Sequence, residues 1–231
     1  DILIKNAKIL DGTGNSWFYG DIAIGSGKII QIGKLAGWNA KKVIDATGLV
    51  AAPGFIDVHT HIEGDEKKDP EAKSFIYDGV TTCITGNCGL SQVDAKKYFD
   101  FIDSLQLSIN VAMLVGHNDI RRAVMGRANR DATDEEQLRM ETLVEKAMRD
   151  GAVGLSTGLI YIPGTYSKTP EIIGLAKKAA AFGGVYATHM RDEGDSVTQA
   201  IEEALTIGRE AGTKIKSDKL ICIGYRAGMV S

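Results

Sequence analysis

Two histidines two residues apart follow an apolar stretch, in the segment PGFIDVHTH at residues 53–61. If this stretch is a strand, its side chains alternate in direction, so that Asp57, His59 and His61 project to the same side. Two imidazoles that emerge in one direction can bind one metal ion together. The alternative is two unrelated histidines near a loop. The pattern predicts a metal site at the end of this strand.

A cysteine, Cys88, follows the next β-rich segment within the sequence GNCG at residues 86–89. A thiolate is a strong zinc ligand, and the flanking asparagine and glycine leave this one sterically open. The alternative is a buried structural cysteine, which is the usual environment of a free cysteine. Cys83 lies inside the predicted strand, and we expect it to be a core residue.

Two further histidines follow strand-like segments. His189 ends the segment VYATH and precedes a charged turn at residues 190–195, which favours a ligand or an acid–base group over a core residue. His117, in GHNDIRR at residues 116–122, has two open interpretations: it lines the same site, or it is a solvent-exposed loop residue.

The candidate ligands are His59, His61, Cys88 and His189, and they come from three predicted strand ends. Parallel α/β folds carry their active sites at the carboxyl ends of the strands. The four groups could fill one tetrahedral site, or form two sites that share the thiolate. The segment at residues 158–167 combines turn residues with two tyrosines and resembles a substrate-facing loop, although such loops are often only structural.

The elements that must position these groups alternate between strand and helix from Leu49 onward. This alternation predicts a parallel sheet, either doubly wound or closed into a barrel. Helices are predicted between the strands from apolar stripes and caps, including a capping box formed by Thr133 and Glu136. The predicted strands are 49–58, 80–86, 109–115, 152–157, 184–189 and, from a weaker pattern, 213–215 with 220–223.

The first 52 residues have a different pattern, of β-branched segments broken by glycines. It predicts a small antiparallel sheet with a hairpin turn at residues 25–27. We therefore expect an N-terminal β-domain portion at residues 1–52 and a barrel domain at residues 53–231. The predicted strands of the first portion are 2–4, 7–10, 21–24 and 28–32.

Composition is that of an ordinary globular protein of 231 residues, with 44% hydrophobic residues and a net charge of −3. The slightly acidic balance without basic runs argues against a nucleic-acid partner, and the apolar stretches are too short for a membrane span. No secretory leader is visible at the start of the sequence. Three cysteines are few enough to favour a reducing compartment, so we expect a cytoplasmic protein.

Five phrases of the sequence, in order, resemble the zinc-dependent N-acyl-D-amino-acid deacylases (D-aminoacylases) of the amidohydrolase superfamily. The Gly-Asn-Cys-Gly element is the most specific of them, because most amidohydrolases have a lysine or an acidic residue as their bridging ligand. The phrases are PGFIDVHTH at 53–61, DGVTTCITGNCG at 78–89, GHNDIRRAVMG at 116–126, GLIYIPGTYS at 158–167 and GVYATHMRDEGDSV at 184–197.

This resemblance implies a TIM-type (β/α) barrel beside a small β-sandwich. It also implies one zinc ion held tightly by Cys88 and His189, with His59 and His61 framing a second, weaker metal position. The implied reaction is hydrolysis of an N-acyl-D-amino acid to a carboxylic acid and a free D-amino acid, with a carboxylate as general base.

The sequence departs from the family pattern near its end. Lys219 stands roughly where the family has a further histidine on the sixth strand, and nothing after Leu220 is recognisable. The sequence has no counterpart of four parts of the family pattern: strands seven and eight, the rest of the sandwich, the general base, and the groups that bind the substrate carboxylate. We therefore expect an incomplete barrel that aggregates or forms homo-oligomers in isolation, since open strand edges and apolar faces are exposed.

Two other functions stay open at this point. One is a catalytically inactive, truncated amidohydrolase, which the missing histidine and general base favour. The other is a hydrolase of cyclic amides, similar to hydantoinases or dihydroorotases, against which the cysteine in the site argues.

Overall fold

The computed structural model describes residues 1–212 and 220–223, so the predictions at 213–215 and at Lys219 lie outside the described residues. The chain divides into two compact units, Asp1–Phe55 and a second unit that begins at Ile56. Within the described residues, no helix is long and apolar enough to cross a bilayer.

The first unit is a five-stranded sheet in the order β3-β2-β1-β4, with β5 also paired to β1. Neighbours β1 and β2 are antiparallel, as are β2 and β3, whereas β4 and β5 lie parallel to β1. The predicted antiparallel sheet is therefore wrong in part, because two short later strands return in parallel to the first. The strands are β1 (Ile2–Ile9), β2 (Phe18–Gly25), β3 (Lys28–Gly33), β4 (Lys42–Asp45) and β5 (Val50–Ala51).

Two local features of this sheet follow from backbone conformation. The predicted segments 2–4 and 7–10 form a single strand, with an irregularity where Asn6 adopts a φ of 63°. The predicted hairpin turn is confirmed: Ser26 and Gly27 both have positive φ, 51° and 73°, which matches the twist of paired strands.

The second unit contains a six-stranded sheet whose strands lie in chain order. Each described pair from β7 to β11 is parallel. This arrangement confirms the predicted (β/α) architecture, in which consecutive parallel strands are joined through helices. The strands are β6 (Phe55–Asp57), β7 (Val80–Thr85), β8 (Asn110–Gly116), β9 (Gly154–Gly158), β10 (Val185–His189) and β11 (Leu220–Ile223).

Helices occupy the predicted intervals between these strands. The Thr133–Glu136 capping box is present at the start of α4, and Met140, Val144 and Ala147 of this helix pack against Leu155 of β9 in one core cluster. The helices are α1 (Lys73–Tyr77), α2 (Ala95–Leu105), α3 (His117–Met125), α4 (Asp134–Arg149), α5 (Thr169–Ala180) and α6 (Val197–Glu210).

The predicted strand at 49–58 is wrong as a single element. Its first part, β5, pairs with β1, and its last part, β6, is the neighbour of β7 in the other sheet. Pro53 lies between them and has no N–H to donate to a ladder, so the strand is interrupted there. Ile56 of β6 is 60% exposed, as befits a strand at the end of its sheet.

The capping box gives a pH-dependent prediction. Hydrogen bonds from Arg130 and from the Thr133 N–H hold the pKa of Glu136 at about 2. A carboxyl whose pKa is lower in the folded state stabilises the fold above its unfolded pKa and loses this contribution as pH falls through the folded pKa. Glu136→Gln should therefore reduce the free energy of unfolding at pH 7, and the difference should shrink toward pH 2.

Urea unfolding at several pH values measures this difference. Glu135→Gln is the matched control, because Glu135 lies in the same helical turn and makes no ion pair with the described residues. A Glu136→Gln effect that stayed constant with pH would contradict the assigned role of its charge.

Candidate metal centre

The turn that carries His59 and His61 is fastened to the end of β7 by its own polar atoms. Strand β6 ends at Asp57, whose carboxylate accepts the His59 N–H at 3.1 Å. The N–H and hydroxyl of Thr60 both donate to the Ile84 carbonyl, at 3.1 and 2.9 Å. The two histidines thus emerge from a turn, and the predicted strand alternation through His61 is wrong, because the Asp57 side chain and Thr60 direct the backbone locally.

Glu63 fastens the same segment from its other side. One carboxylate oxygen accepts the Gly86 N–H at 2.8 Å and contacts the Thr85 hydroxyl. The other oxygen lies 3.9 Å from Nδ1 of His61. The residues after the His-x-His motif are therefore tied to the turn that leads to Cys88.

In the turn after β7, the main chain packs directly against the main chain of β8 and β9. A methyl group at Gly86 would lie 2.0 Å from the Leu114 carbonyl oxygen, and one at Gly158 would lie 2.2 Å from the Cys88 carbonyl oxygen. Cys88 itself has a φ of 55° and is buried, with 8% exposure. These contacts hold the thiol at the carboxyl ends of β7, β8 and β9.

His189 ends β10, and its ring is contacted on both nitrogens. Nδ1 lies 3.6 Å from Sγ of Cys88 and 3.1 Å from the Tyr161 hydroxyl. Nε2 lies 3.1 Å from a carboxylate oxygen of Glu193. A carboxylate on one imidazole nitrogen fixes the ring so that the other nitrogen faces the site.

The four predicted ligands come together around Cys88. Its Sγ lies 3.7 Å from Nε2 of His59 and 3.6 Å from Nδ1 of His189. Donor atoms of His59, His61 and Cys88 all lie within 4.8 Å of one another. The buried Nδ1 of His59 has no hydrogen-bond partner among the described residues. A thiol, several imidazoles and an unsatisfied buried ring nitrogen are the donor chemistry that suits zinc.

The electrostatic environment of these groups follows from their burial. Burial, together with the nearby carboxylates of Glu63 and Glu193, raises the pKa of the Cys88 thiol to about 11. Burial also lowers the pKa of His59, as does the nearby His61. The imidazole of His59 is therefore held neutral, the form in which histidine binds metals.

Neither interpretation of His117 is correct. Its side chain is fully buried, and Nε2 lies 2.8 Å from a carboxylate oxygen of Glu171. The partner is 54 residues away in the chain, so no local pattern could have identified it. Cys83 is buried in a core cluster with Ala72 and Ile109, as predicted.

Sequence reasoning missed three residues of the site: Glu63, Tyr161 and Glu193. Two of them are carboxylates that follow a candidate ligand closely, Glu63 two residues after His61 and Glu193 four residues after His189. Carboxylates so placed often orient metal-binding histidines, and that spacing was the available signal. Tyr161 lies in the predicted loop at residues 158–167, where the sequence pattern gives no role to the tyrosine itself.

The chain is similar in sequence to known proteins. The chain spans about half the length of the curated relatives that it matches. A D-aminoacylase from Alcaligenes xylosoxydans xylosoxydans is 38% identical over 233 residues, which covers 91% of this chain and 48% of the relative.

Solved structures give the same result. An N-acyl-D-glutamate deacylase from Bordetella bronchiseptica, complexed with zinc and a phosphonate inhibitor that mimics the tetrahedral intermediate, has a TM-score of 0.86 and 36% identity, covering 92% of this chain and 49% of that chain. An L-hydantoinase from Arthrobacter aurescens, at 20% identity and a TM-score of 0.67, covers 96% of this chain and 52% of that chain, and shares the fold.

Consecutive parallel (β/α) units with polar side chains at the carboxyl ends of their strands are the architecture of the (β/α) barrel class. The amidohydrolase family model matches residues 42–214, so the chain belongs to the amidohydrolase family. The resemblance to N-acyl-D-amino-acid deacylases is confirmed by the relatives described above.

The close main-chain contact at Gly86 gives a stability prediction. Gly86→Ala adds a methyl group 2.0 Å from a backbone oxygen, at a φ of +77°. Steric overlap and left-handed strain together should lower the free energy of unfolding by about 3 kcal/mol.

Gly183→Ala is the matched control. Gly183 also has a positive φ, +74°, but nothing lies within 4 Å of an added methyl group. This variant should lose only about 1 kcal/mol, from left-handed strain. Equal losses in urea unfolding of the two variants would show that the Gly86 contact contributes nothing.

Proposed function

We propose that this chain forms the metal-binding part of a zinc-dependent hydrolase that cleaves N-acyl-D-amino acids into a carboxylic acid and a free D-amino acid. The convergence of His59, His61 and His189 on the thiol of Cys88 carries this proposal. The relatives with deacylase names supply the substrate class.

Cys88 and His189 would hold one zinc ion tightly, and His59 and His61 would frame a second, weaker position. Support comes from the thiol, whose Sγ lies 3.6 Å from His189 Nδ1 and 3.7 Å from His59 Nε2. The donor atoms of His59, His61 and Cys88 all lie within 4.8 Å of one another, and His189 is not part of that group. This placement favours two positions that share the thiolate over one site with four ligands. A bound zinc ion would polarise the amide carbonyl and lower the pKa of water.

The side chains around the ligands have distinct tasks in this proposal. Glu193 orients His189 through Nε2, and Glu63 ties the histidine turn to β7. The Tyr161 hydroxyl lies beside His189 at the edge of the site and is a donor suited to orient the substrate amide. The general base is expected in a part of the family pattern that this chain does not contain.

A cyclic-amide hydrolase is the second candidate, because an L-hydantoinase shares the fold. The cysteine in the site argues against it, and the 20% identity of that neighbour supports the fold alone. A catalytically inactive member of the family is the third, and the assay described below separates all three.

Removal of the thiol tests the metal assignment. Cys88→Ala should retain less than about a tenth of the zinc bound by the unaltered chain, because a principal ligand is lost. Metal content after dialysis against trace zinc, measured by mass spectrometry, gives the result. Cys83→Ala is the matched control, since Cys83 is a core residue of the same segment. Unchanged zinc in Cys88→Ala would refute the assignment.

Hydrolysis tests the reaction. N-acetyl derivatives of neutral and acidic D-amino acids should release free amino acid, while their L-enantiomers and hydantoin should not. The assay should compare the 231-residue chain with the polypeptide isolated from its native source, whose intact mass is measured first. Preferential opening of hydantoin would favour the second candidate, and a native polypeptide inactive on every compound would favour the third.

Several further expectations belong to the same proposal. Residues 1–52 would contribute to a small β-sandwich domain, and residues 53–231 to the hydrolase barrel. The protein would be cytoplasmic, with a small-molecule substrate and without nucleic-acid or membrane partners. Exposed side chains such as Ile56 on an end strand favour a homo-oligomer or added chain at that edge.

A further inference from the structure

The first turns of α3 contain three polar side chains that are completely buried: His117, Asn118 and Arg121. Buried polar groups are almost always hydrogen-bonded, and a buried charge needs a charged or strongly polar partner. Their partners therefore show what this part of the helix holds in place.

The amide of Asn118 binds the main chain of the loop that follows β9. Its Nδ2 donates to the Gly158 carbonyl at 3.1 Å and to the Tyr161 carbonyl at 3.5 Å. Its Oδ1 accepts the Gly158 N–H at 3.3 Å. One side chain thus fastens the start of the loop and the backbone of the tyrosine itself.

The same amide also fills the space beside the turn that carries Cys88. A methyl group at Gly89 would lie 2.2 Å from Oδ1 of Asn118, and one at Gly164 would lie 2.6 Å from it. Asn118 is therefore packed between the residue after the candidate thiol ligand and the far part of the tyrosine loop. A change in the shape of the Asn118 side chain would disturb both the Cys88 turn and the tyrosine loop.

Arg121 fastens the next part of the loop. Its Nε donates to the Pro163 carbonyl at 3.4 Å, and one terminal nitrogen lies 3.6 Å from the Glu171 carboxylate. Glu171 in turn binds His117 at 2.8 Å. The buried Arg121 of α3 is thereby paired with the buried Glu171 of α5, and the same arginine also binds the loop.

Burial alone does not fix Tyr161, because 43% of this residue is exposed. Its hydroxyl nevertheless lies 3.1 Å from His189 Nδ1, and the two rings lie 4.8 Å apart. The placement of the hydroxyl thus depends on the backbone of its loop, which Asn118 and Arg121 hold.

We propose that Asn118 is a positioning residue, which holds the Tyr161 loop against the Cys88 turn so that the tyrosine hydroxyl reaches the substrate amide beside His189. This inference rests on the proposed function for the role of the hydroxyl. The holding of the loop can be tested without any activity.

Hydrogen exchange tests the holding of the loop. Asn118→Asp keeps the size of the side chain and an acceptor oxygen but removes both donors. Amides of residues 158–166 should exchange roughly tenfold faster, since a buried hydrogen-bond donor is lost. Asn110→Asp is the matched control, because Asn110 is an exposed residue at the opposite end of β8. Unchanged exchange in the loop would overturn the proposal.

Asn118→Ser serves as a second variant if Asn118→Asp fails to fold, because it is neutral and smaller. It cannot span the distance to both carbonyls, so the same increase in exchange is expected. Loop amides as protected in Asn118→Ser as in the unaltered protein would overturn the proposal in the same way.

Kinetics in the active native polypeptide test the role of the hydroxyl. Asn118→Asp should lower kcat roughly tenfold to hundredfold, with a smaller change in KM, because the hydroxyl is misplaced. In a Tyr161→Phe background the same change should have less than about a twofold effect, since the hydroxyl is already absent. A full further loss in that background would show that Asn118 acts otherwise and would overturn the inference.

Absence of all amide hydrolysis would refute the proposed function, whereas unchanged loop exchange would refute the inference, so the two failures are distinct.

Discussion

Direct contact between backbones at the ends of β7, β8 and β9 is the constraint on which the site depends. Side chains would not fit there: a methyl group at Gly116 would lie 2.4 Å from the Gly89 carbonyl oxygen, and one at Gly86 would lie 2.0 Å from Leu114. The absence of side chains lets three strand ends approach closely enough to fix the turn that carries Cys88. These contacts fix the position of Cys88, and the histidines are placed around its thiol.

Charge distribution around the thiol follows from this packing. Glu63 and Glu193 each hold a histidine-bearing segment in place. Burial, with a further contribution from these two carboxylates, raises the pKa of the Cys88 thiol to about 11. A buried thiol between carboxylates is costly to ionise unless a cation is close. The same carboxylates that organise the site thus make a metal ion the natural counter-charge for it.

Much of the fold was predictable because its signals are local. The parallel strands from β7 onward, the capping box at Thr133 and the turn at Ser26 all follow from hydrophobic period, caps and glycine conformation, which act within a few residues. The predictions were wrong where segments that are far apart in the chain pair with one another. Pro53 divided one predicted strand between two sheets, and β4 and β5 made the first sheet mixed, because strand pairing joins residues far apart in the chain.

The sequence by itself determined the candidate ligands: His59, His61, Cys88 and His189 each lie at or just after the end of a predicted strand, and parallel strands bring their carboxyl ends together. Only the tertiary structure decided which groups surround them. Glu63, Glu193 and Tyr161 reach their partners through loop geometry, and His117 is buried against Glu171, 54 residues away. The physical reason is that hydrogen bonds and close packing between separate elements depend on distances that no local pattern encodes.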